Sequence, residues 1–121
     1  MAPRSHSKQP QPDPLLPLSP VVFAILAALS TGQKHGYAIM KQAALAEAGA
    51  VSMGPGTLYG SIDRMIRDSL VEETGFTDDA RRRYYRITHF GLKVLAAEST
   101  RLTAVLKALR VTGKASAGAW S

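Results

Sequence analysis

The stretch that decides the fold is "GPGTLYGSIDRMIRDSL", residues 54–70, which has the length and spacing of one amphipathic helix. Its apolar residues recur at helical intervals on one side, at Leu58, Ile62, Met65 and Ile66. The first turn holds two glycines and a proline, and the other side carries a tyrosine among small hydroxyl residues. Proline is tolerated at the start of a helix because its missing N–H needs no partner there. The pattern predicts a helix with one buried face and an open tip of low bulk.

Two further helices precede this one. "GYAIMKQAALAEA", residues 36–48, predicts a short helix, and the compact "GAVSMG" joins it to the helix that starts at Pro55. Two short helices with such a connection indicate a helix-turn-helix. Upstream, Ser19 and Pro20 form a good helix start, and the run that follows is apolar almost all round, which predicts burial.

Two strands follow the helix-turn-helix. Residues 71–76 and 82–88 are rich in β-branched and aromatic residues, and the turn-prone pair Asp78-Asp79 lies between them. A helix-turn-helix followed by a two-stranded hairpin is a winged helix. The predicted fold class is therefore mainly α with a small antiparallel β-hairpin, and a long C-terminal helix completes it.

The last helix is predicted from Thr88, which can cap it, to about Arg110. Spacings of three and four residues form a heptad seam with one polar position, at Leu92, Leu95, Ser99, Leu102, Leu106 and Leu109. This seam predicts dimerisation with a second copy, and the alternative is that the helix folds back onto its own first helix. Ser99 can either fix the register of the pair or leave space for a ligand.

The predicted organisation has four parts. Residues 1–17 are rich in proline and polar residues and form a flexible arm. Residues 18–88 form the winged helix-turn-helix, residues 89–110 the dimerisation helix, and residues 111–121 a flexible tail.

Composition excludes several classes of function. The 121 residues include no cysteine, which removes disulfides and thiol chemistry and fits a cytoplasmic protein. The three histidines have no partner at the spacing of metal ligands, and no nucleophile or phosphate-loop motif occurs, so we expect no enzyme, metal or cofactor. The net charge of +6 suits a polyanionic partner, but acids balance bases between residues 52 and 90. The apolar run "VVFAILAAL" resembles a signal peptide, yet prolines precede it and it is too short to span a bilayer, so no membrane association is expected.

The ordered set of motifs resembles the PadR-like transcriptional regulators. The resemblance rests on "LSPVVFAILAAL", "HGYAIMKQ", "GPGTLYGSIDRMIRDSLVEE" and "RRRYYRITHFGLKVL". Two positions depart from the family pattern: Ser69 stands where a glycine usually precedes the first strand, and Gly60 follows Tyr59 where alanine or arginine is common. The resemblance implies a homodimeric, DNA-binding repressor on a palindromic operator, with a small aromatic or drug-like effector.

The candidate contacts with double-stranded DNA lie in three places. The helix tip of low bulk can approach phosphates closely, because helix N-termini present free amides to anions. Tyr37 and Lys41 lie one helical turn apart and can share a phosphate, although Tyr37 can equally be packed in the core. Three wing arginines suit a narrow groove, but strand alternation prevents all three from doing the same job. The full predicted set is Tyr37, Lys41, Ser52, Pro55, Gly56, Thr57, Tyr59, Gly60, Ser61, Arg64, Arg81, Arg82 and Arg83.

Two other functions fit the same elements. One is a winged helix that binds another protein, and the other is a small-molecule sensor without strong DNA binding. The DNA-binding hypothesis differs from both, because it alone requires strong binding to a duplex that weakens steeply with salt.

Overall fold

The computed structural model describes residues 11–46 and 49–120, with side chains through residue 110. Within this part the chain forms four α-helices, three strands and one short 3₁₀ turn. The elements are the 3₁₀ turn Asp13–Leu15, α1 (Pro20–Leu29), β1 (Lys34–His35), α2 (Gly36–Leu45), α3 (Pro55–Arg67), β2 (Val71–Thr77), β3 (Arg83–Ile87) and α4 (His89–Trp120). Among the described residues no helix combines the length and the apolar character needed to cross a membrane.

The core forms around α1, as its apolar sequence predicts. Ile25, Leu26 and Leu29 are completely buried, and side chains of α2, α3 and α4 surround them. The predicted cap is also present, because the Oγ of Ser19 accepts a hydrogen bond from the N–H of Val22 at 3.2 Å.

Helices α2 and α3 form the helix-turn-helix. The N–H of Val51 donates to the carbonyl of Ala43 at 2.9 Å, which holds the connection between them. α2 ends at Leu45 rather than at residue 48, because Ala46 adopts an extended backbone with ψ of 140°. The prediction that Ile66 lies on the inner face of α3 is wrong: its side chain is 40% exposed, since it follows buried Met65 and is turned about 100° away from it.

The sheet is antiparallel and confirms the predicted wing. β3 lies in the centre, between β2 and a third strand, β1, that the sequence analysis missed. β1 contains only two residues, Lys34 and His35, which is too short to produce an alternating pattern. Before β2, Ser69 has a φ of 63°, the left-handed conformation that explains why a glycine is usual at this position.

Helix α4 begins where the sequence predicts and ends later. The Oγ of Thr88 accepts from the N–H of Gly91 at 2.9 Å, which is the predicted cap. The prediction of a flexible tail from residue 111 is wrong for the backbone, because the helix continues past its expected end near Arg110 to Trp120. Residues 111–120 contain no proline, and a helix tolerates each glycine at a cost of about 1 kcal/mol. Ser121 lies outside the described residues.

The predicted N-terminal arm is partly ordered against the domain. Residues 1–10 lie outside the described residues, but Leu15 and Leu16 pack against the core, as does Leu18. The N–H of Leu18 also donates to the carboxylate of Glu98 on α4 at 2.9 Å. The prediction of a flexible segment through residue 17 therefore fails for its last residues, whose apolar side chains gain burial.

Candidate nucleic-acid interface

The tip of α3 is open, as its glycines predict. Ser52, Pro55 and Thr57 are exposed there, and no atom beyond the neighbouring residues lies within 4 Å of the place a Cβ would occupy on Gly54 or Gly56. The first turn contains no acidic residue, so nothing on it offsets the positive end of the helix dipole. A phosphate can approach the free amides of this tip closely.

The outer face of α3 differs from the prediction at one residue. Tyr59 is 43% exposed, and its hydroxyl lies against Gly36. Ser61, which the sequence analysis counted among the DNA contacts, is only 2% exposed, and its Oγ accepts from Nη2 of Arg64 at 3.3 Å. We therefore remove Ser61 from the candidate surface. Gly60 is half-buried and leaves room beside the exposed side chain of Arg64.

The start of α2 presents a tyrosine and a lysine to solvent. Tyr37 is 61% exposed, which excludes the alternative that it is packed in the core, and Lys41 is exposed one turn later. His35 caps this helix, because its Nδ1 accepts from the N–H of Ala38 at 3.2 Å. The His35 ring also stacks near Tyr37, with ring centres 6.5 Å apart. The capping role of His35 was not predicted.

The wing arginines have three different environments. Arg82 binds Asp78, with Nη2 at 2.7 Å from Oδ2, and this hydrogen-bonded pairing holds the pKa of Asp78 far below its usual range and raises that of Arg82. Arg83 lies 3.9 Å from the carboxylate of Glu73 and is more exposed. Arg81 is exposed and has a φ of 60°. That the three cannot share one job stays a prediction, because only Arg83 lies within β3 and strand alternation does not reach the other two.

Two adjacent wing tyrosines face opposite ways, as alternation predicts. Tyr85 is buried in the core, and burial raises the pKa of its hydroxyl. Tyr84 is half-buried and donates its hydroxyl to Asp78 at 3.1 Å; loss of solvent and this bond raise its pKa. Tyr84 also meets the rings of Phe76 and His35 edge-on, at 4.7 and 5.3 Å between centres. The wing is thus packed against the beginning of α2.

A cleft of about 430 Å³ opens between α2, α3 and the wing. It brings together four of the predicted contacts from three separate segments: Tyr37, Tyr59, Arg82 and Arg83. Its other lining residues, His35, Gly36, Asp63 and Tyr85, were not predicted as site residues. Asp63 was detectable, because it lies four residues after Tyr59 and so shares its helix face. Lys41, Arg64 and Arg81 are exposed outside this lining.

The predicted dimerisation seam divides into two parts. Leu95 packs against the core of its own domain, so the fold-back alternative holds there. The remaining members are exposed: Leu92, Ser99, Leu102, Leu106 and Leu109. Val105 is exposed among them, which widens the apolar stripe.

The fold and this surface define a winged helix-turn-helix protein, with a recognition-type helix and a wing on either side of a cleft. Known proteins identify the family. The model of the "Transcriptional regulator PadR-like family" matches residues 25–97, which is more than half of the chain. The chain belongs to the PadR-like family of transcriptional regulators, and the resemblance drawn from its motifs is confirmed.

Solved structures share the fold. A transcriptional regulator from Clostridium thermocellum is 26% identical, with a TM-score of 0.64 over 74% of this chain and 86% of that one. A PadR family regulator from Clostridium difficile is 22% identical, with a TM-score of 0.66 over 78% of this chain and 98% of that one. A PadR-like regulator from Bacillus cereus is 23% identical, with a TM-score of 0.64 over 76% and 89%.

A curated protein sequence is also similar to this chain. An uncharacterized 37.1 kDa protein in a transposon of Streptomyces fradiae is 35% identical over 75 residues, which is 62% of this chain. The match covers 21% of the length of that curated relative.

Proposed function

We propose that the protein is a homodimeric repressor that binds a roughly palindromic operator and is released from it by a small effector. In each subunit α3 enters the major groove, while the wing and the start of α2 hold the flanking backbone. The observation that carries this proposal is the cleft, where the exposed side chains of Tyr37 on α2, Tyr59 on α3 and Arg83 on the wing converge. Such side chains bind phosphate and sugar and so position a reading helix.

Each candidate contact has a role that its chemistry allows. The bare amides of the α3 tip and the hydroxyl of Thr57 bind phosphate at the groove edge. Tyr59 lays its exposed ring against sugar or a thymine methyl group. Tyr37 and Lys41 bind the backbone beside it, and Lys41 supplies a point charge.

The exposed apolar stripe on α4 supports a dimer. Leu102, Val105, Leu106 and Leu109 lie on successive turns, and each is at least 41% exposed. A second copy of the same helix covers this stripe with its own, as in a coiled coil. Two heads joined in this way reach major grooves about 34–36 Å apart, and a bound dimer then blocks polymerase sterically.

The effector site is proposed at the same helix. A shallow hollow of about 390 Å³ lies beside Ser99 and is lined also by Thr103 and Lys107. In a dimer this hollow adjoins the seam, where a small aromatic or drug-like compound alters the distance between the two heads. The dimer leaves DNA if the compound binds more tightly to the conformation whose head spacing does not fit the operator than to the one that does.

The DNA proposal is tested by titration. Fragments selected from the source genome with purified protein supply the operator, and affinity is then measured at several salt concentrations. We expect log K to fall linearly with log salt, and Lys41→Ala to reduce the slope by about 0.9 for each lost phosphate contact. The matched control is Lys93→Ala, which removes an exposed lysine from α4. Weak binding that does not depend on salt would instead support a protein-binding winged helix.

The dimer proposal is tested with two matched leucines. Leu102→Glu places a charge in the seam, so we expect monomers in sedimentation and a parallel loss of operator affinity. Leu45→Glu changes a leucine at the end of α2 that is 71% exposed, against 41% for Leu102, and should leave the dimer intact. A Leu102→Glu protein that stays fully dimeric would show that the seam is not the interface.

A further inference from the structure

The wing turn is organised around a single carboxylate. Oδ1 of Asp78 accepts the backbone N–H groups of Ala80 at 3.0 Å and Arg82 at 3.1 Å. The carbonyl of Asp78 accepts the N–H of Arg81 at 2.8 Å. An aspartate that captures the amides following it in this way fixes the path of a turn.

The other oxygen of Asp78 binds side chains of the returning strand. Oδ2 accepts Nε of Arg82 at 2.8 Å and the hydroxyl of Tyr84 at 3.1 Å, and Nη2 of Arg82 lies 2.7 Å from it. The two guanidinium nitrogens therefore both contact the same carboxylate oxygen, and hydrogen bonds between charged groups are stronger than those between neutral groups. The Arg82 side chain is 49% exposed, but its charge is balanced by the carboxylate that it contacts.

Arg81 has the opposite situation. It is exposed, and among the residues with described side chains it makes no ion pair. Its φ of 60° lies in the left-handed region, which interrupts the strand just before β3 begins at Arg83. Nonglycine residues adopt this conformation only when the surrounding contacts hold them there. Asp78 supplies such contacts, because it accepts the backbone N–H groups of Ala80, Arg81 and Arg82.

Tyr84 connects this turn to the helix-turn-helix. Its hydroxyl binds Asp78, while its ring lies edge-on to His35, the residue that caps α2. The position of the turn relative to the reading head is therefore fixed through Tyr84.

From these contacts we propose that Asp78 is a positioning residue, which keeps the Arg82 guanidinium paired at the wing turn and presents Arg81 to the DNA backbone. This assignment rests on the proposed DNA-binding function and deepens it. Arg81 joins Arg83 as a wing arginine that binds phosphate, whereas Arg82 stays paired with Asp78.

The first test compares two neighbouring arginines with the same charge change. Arg81→Gln and Arg82→Gln are titrated with one duplex of mixed sequence over a range of salt. We expect Arg81→Gln to lower the slope of log K against log salt by about 0.9 for each bound chain, and Arg82→Gln to leave that slope at the wild-type value. If Arg82→Gln lowers the slope as much as Arg81→Gln, Arg82 leaves Asp78 for phosphate and the assignment is overturned.

The second test separates the two functions of Asp78. Asp78→Asn keeps an oxygen for the amides of Ala80 and Arg82 but removes the charge that holds the Arg82 guanidinium. We expect the freed guanidinium to add about 0.9 to the salt slope, and Asp78→Asn combined with Arg82→Gln to restore the wild-type slope. A slope that Asp78→Asn leaves unchanged would overturn the proposal.

A third readout needs no DNA. Asp78→Ala removes both acceptors, so amide hydrogen exchange at Ala80 and Arg82 should accelerate at least several-fold, while Asp78→Asn should preserve most of the protection. Equal exchange in all three proteins would show that Asp78 does not position the turn. If the exchange result holds but the unmodified protein shows no salt-dependent binding to any duplex, the proposed DNA function fails, and only the DNA part of this assignment fails with it.

Discussion

Substitution of Glu98 by alanine tests how the N-terminal segment is held. The Glu98 side chain is 2% exposed, and its carboxylate accepts the N–H of Leu18 at 2.9 Å and Nε of Arg101 at 2.6 Å. Arg101 can turn to water when its partner is lost, because its side chain is 38% exposed. Leu18 cannot do so without undocking the segment before α1, whose leucines pack on the core.

The size of the effect follows from the Leu18 bond. A hydrogen bond to a charged, buried acceptor contributes about 1.5–3 kcal/mol, so Glu98→Ala should lower the free energy of unfolding by that amount near neutral pH. For a domain of this size the midpoint of thermal unfolding should fall by roughly 10 °C. Urea unfolding at one fixed protein concentration measures the loss, since an oligomer's stability depends on concentration. Arg101→Gln is the control, and its effect should be smaller because the Leu18 bond remains.

The pH dependence gives the sharper result. The hydrogen bond from Arg101 lowers the pKa of Glu98 below its ordinary value, against the opposing effect of burial. The stabilisation is therefore complete above the unfolded-state pKa of about 4.3 and is lost as the pH falls through the lower folded-state pKa. The difference between wild type and Glu98→Ala should shrink on acidification. A difference under about 1 kcal/mol at neutral pH would refute the reasoning, as would one that acid leaves unchanged.

Two further substitutions test local geometry. Ser69→Gly should raise the free energy of unfolding, measured in urea, by about 1 kcal/mol. The φ of Ser69 is 63°, and a residue with a Cβ in this left-handed region costs about 1–2 kcal/mol. A destabilised variant would show that the strain is absent. Gly36→Ala should weaken DNA binding several-fold and slightly lower the stability in urea, because the new Cβ overlaps the hydroxyl of Tyr59 and lies 3.0 Å from Cδ2 of buried Leu58. Tyr59 is partly exposed and can swing aside, so unchanged DNA affinity would mean that its ring position does not matter.

The sequence predicted those elements whose pattern is long enough to be periodic. The buried face of α3 and the hairpin arms repeat their signals over several residues, so local spacing was sufficient. β1 has two residues and exists only because Lys34 and His35 pair with β3. Pairing between distant segments leaves no periodic signal in the shorter partner.

The candidate site was predicted less completely, and Ser61 shows one reason. It lies three residues after Leu58 and four before Met65, so helical spacing alone places it on the buried face. Its hydroxyl suggested the opposite, and only the bond from Arg64 explains how the core accepts it. The pairing of Arg82 with Asp78 could not be predicted either, because the conformation of the turn decides which carboxylate the arginine meets.

The structure of α4 shows why spacing could not decide between dimerisation and packing within the domain. Val94 and Glu98 are buried against the domain, whereas Leu102 and the apolar residues after it lie beyond that contact. The face of α4 that is buried against the domain and the exposed apolar face both repeat every three to four residues. A heptad pattern in the sequence therefore does not distinguish them. Glu98 lies at the point where the helix leaves the domain and ties it there to Leu18. In the proposed dimer, two heads that meet grooves about 34–36 Å apart need α4 at a defined angle to its own domain, and the bond from Leu18 to Glu98 is one of the contacts that hold the helix there.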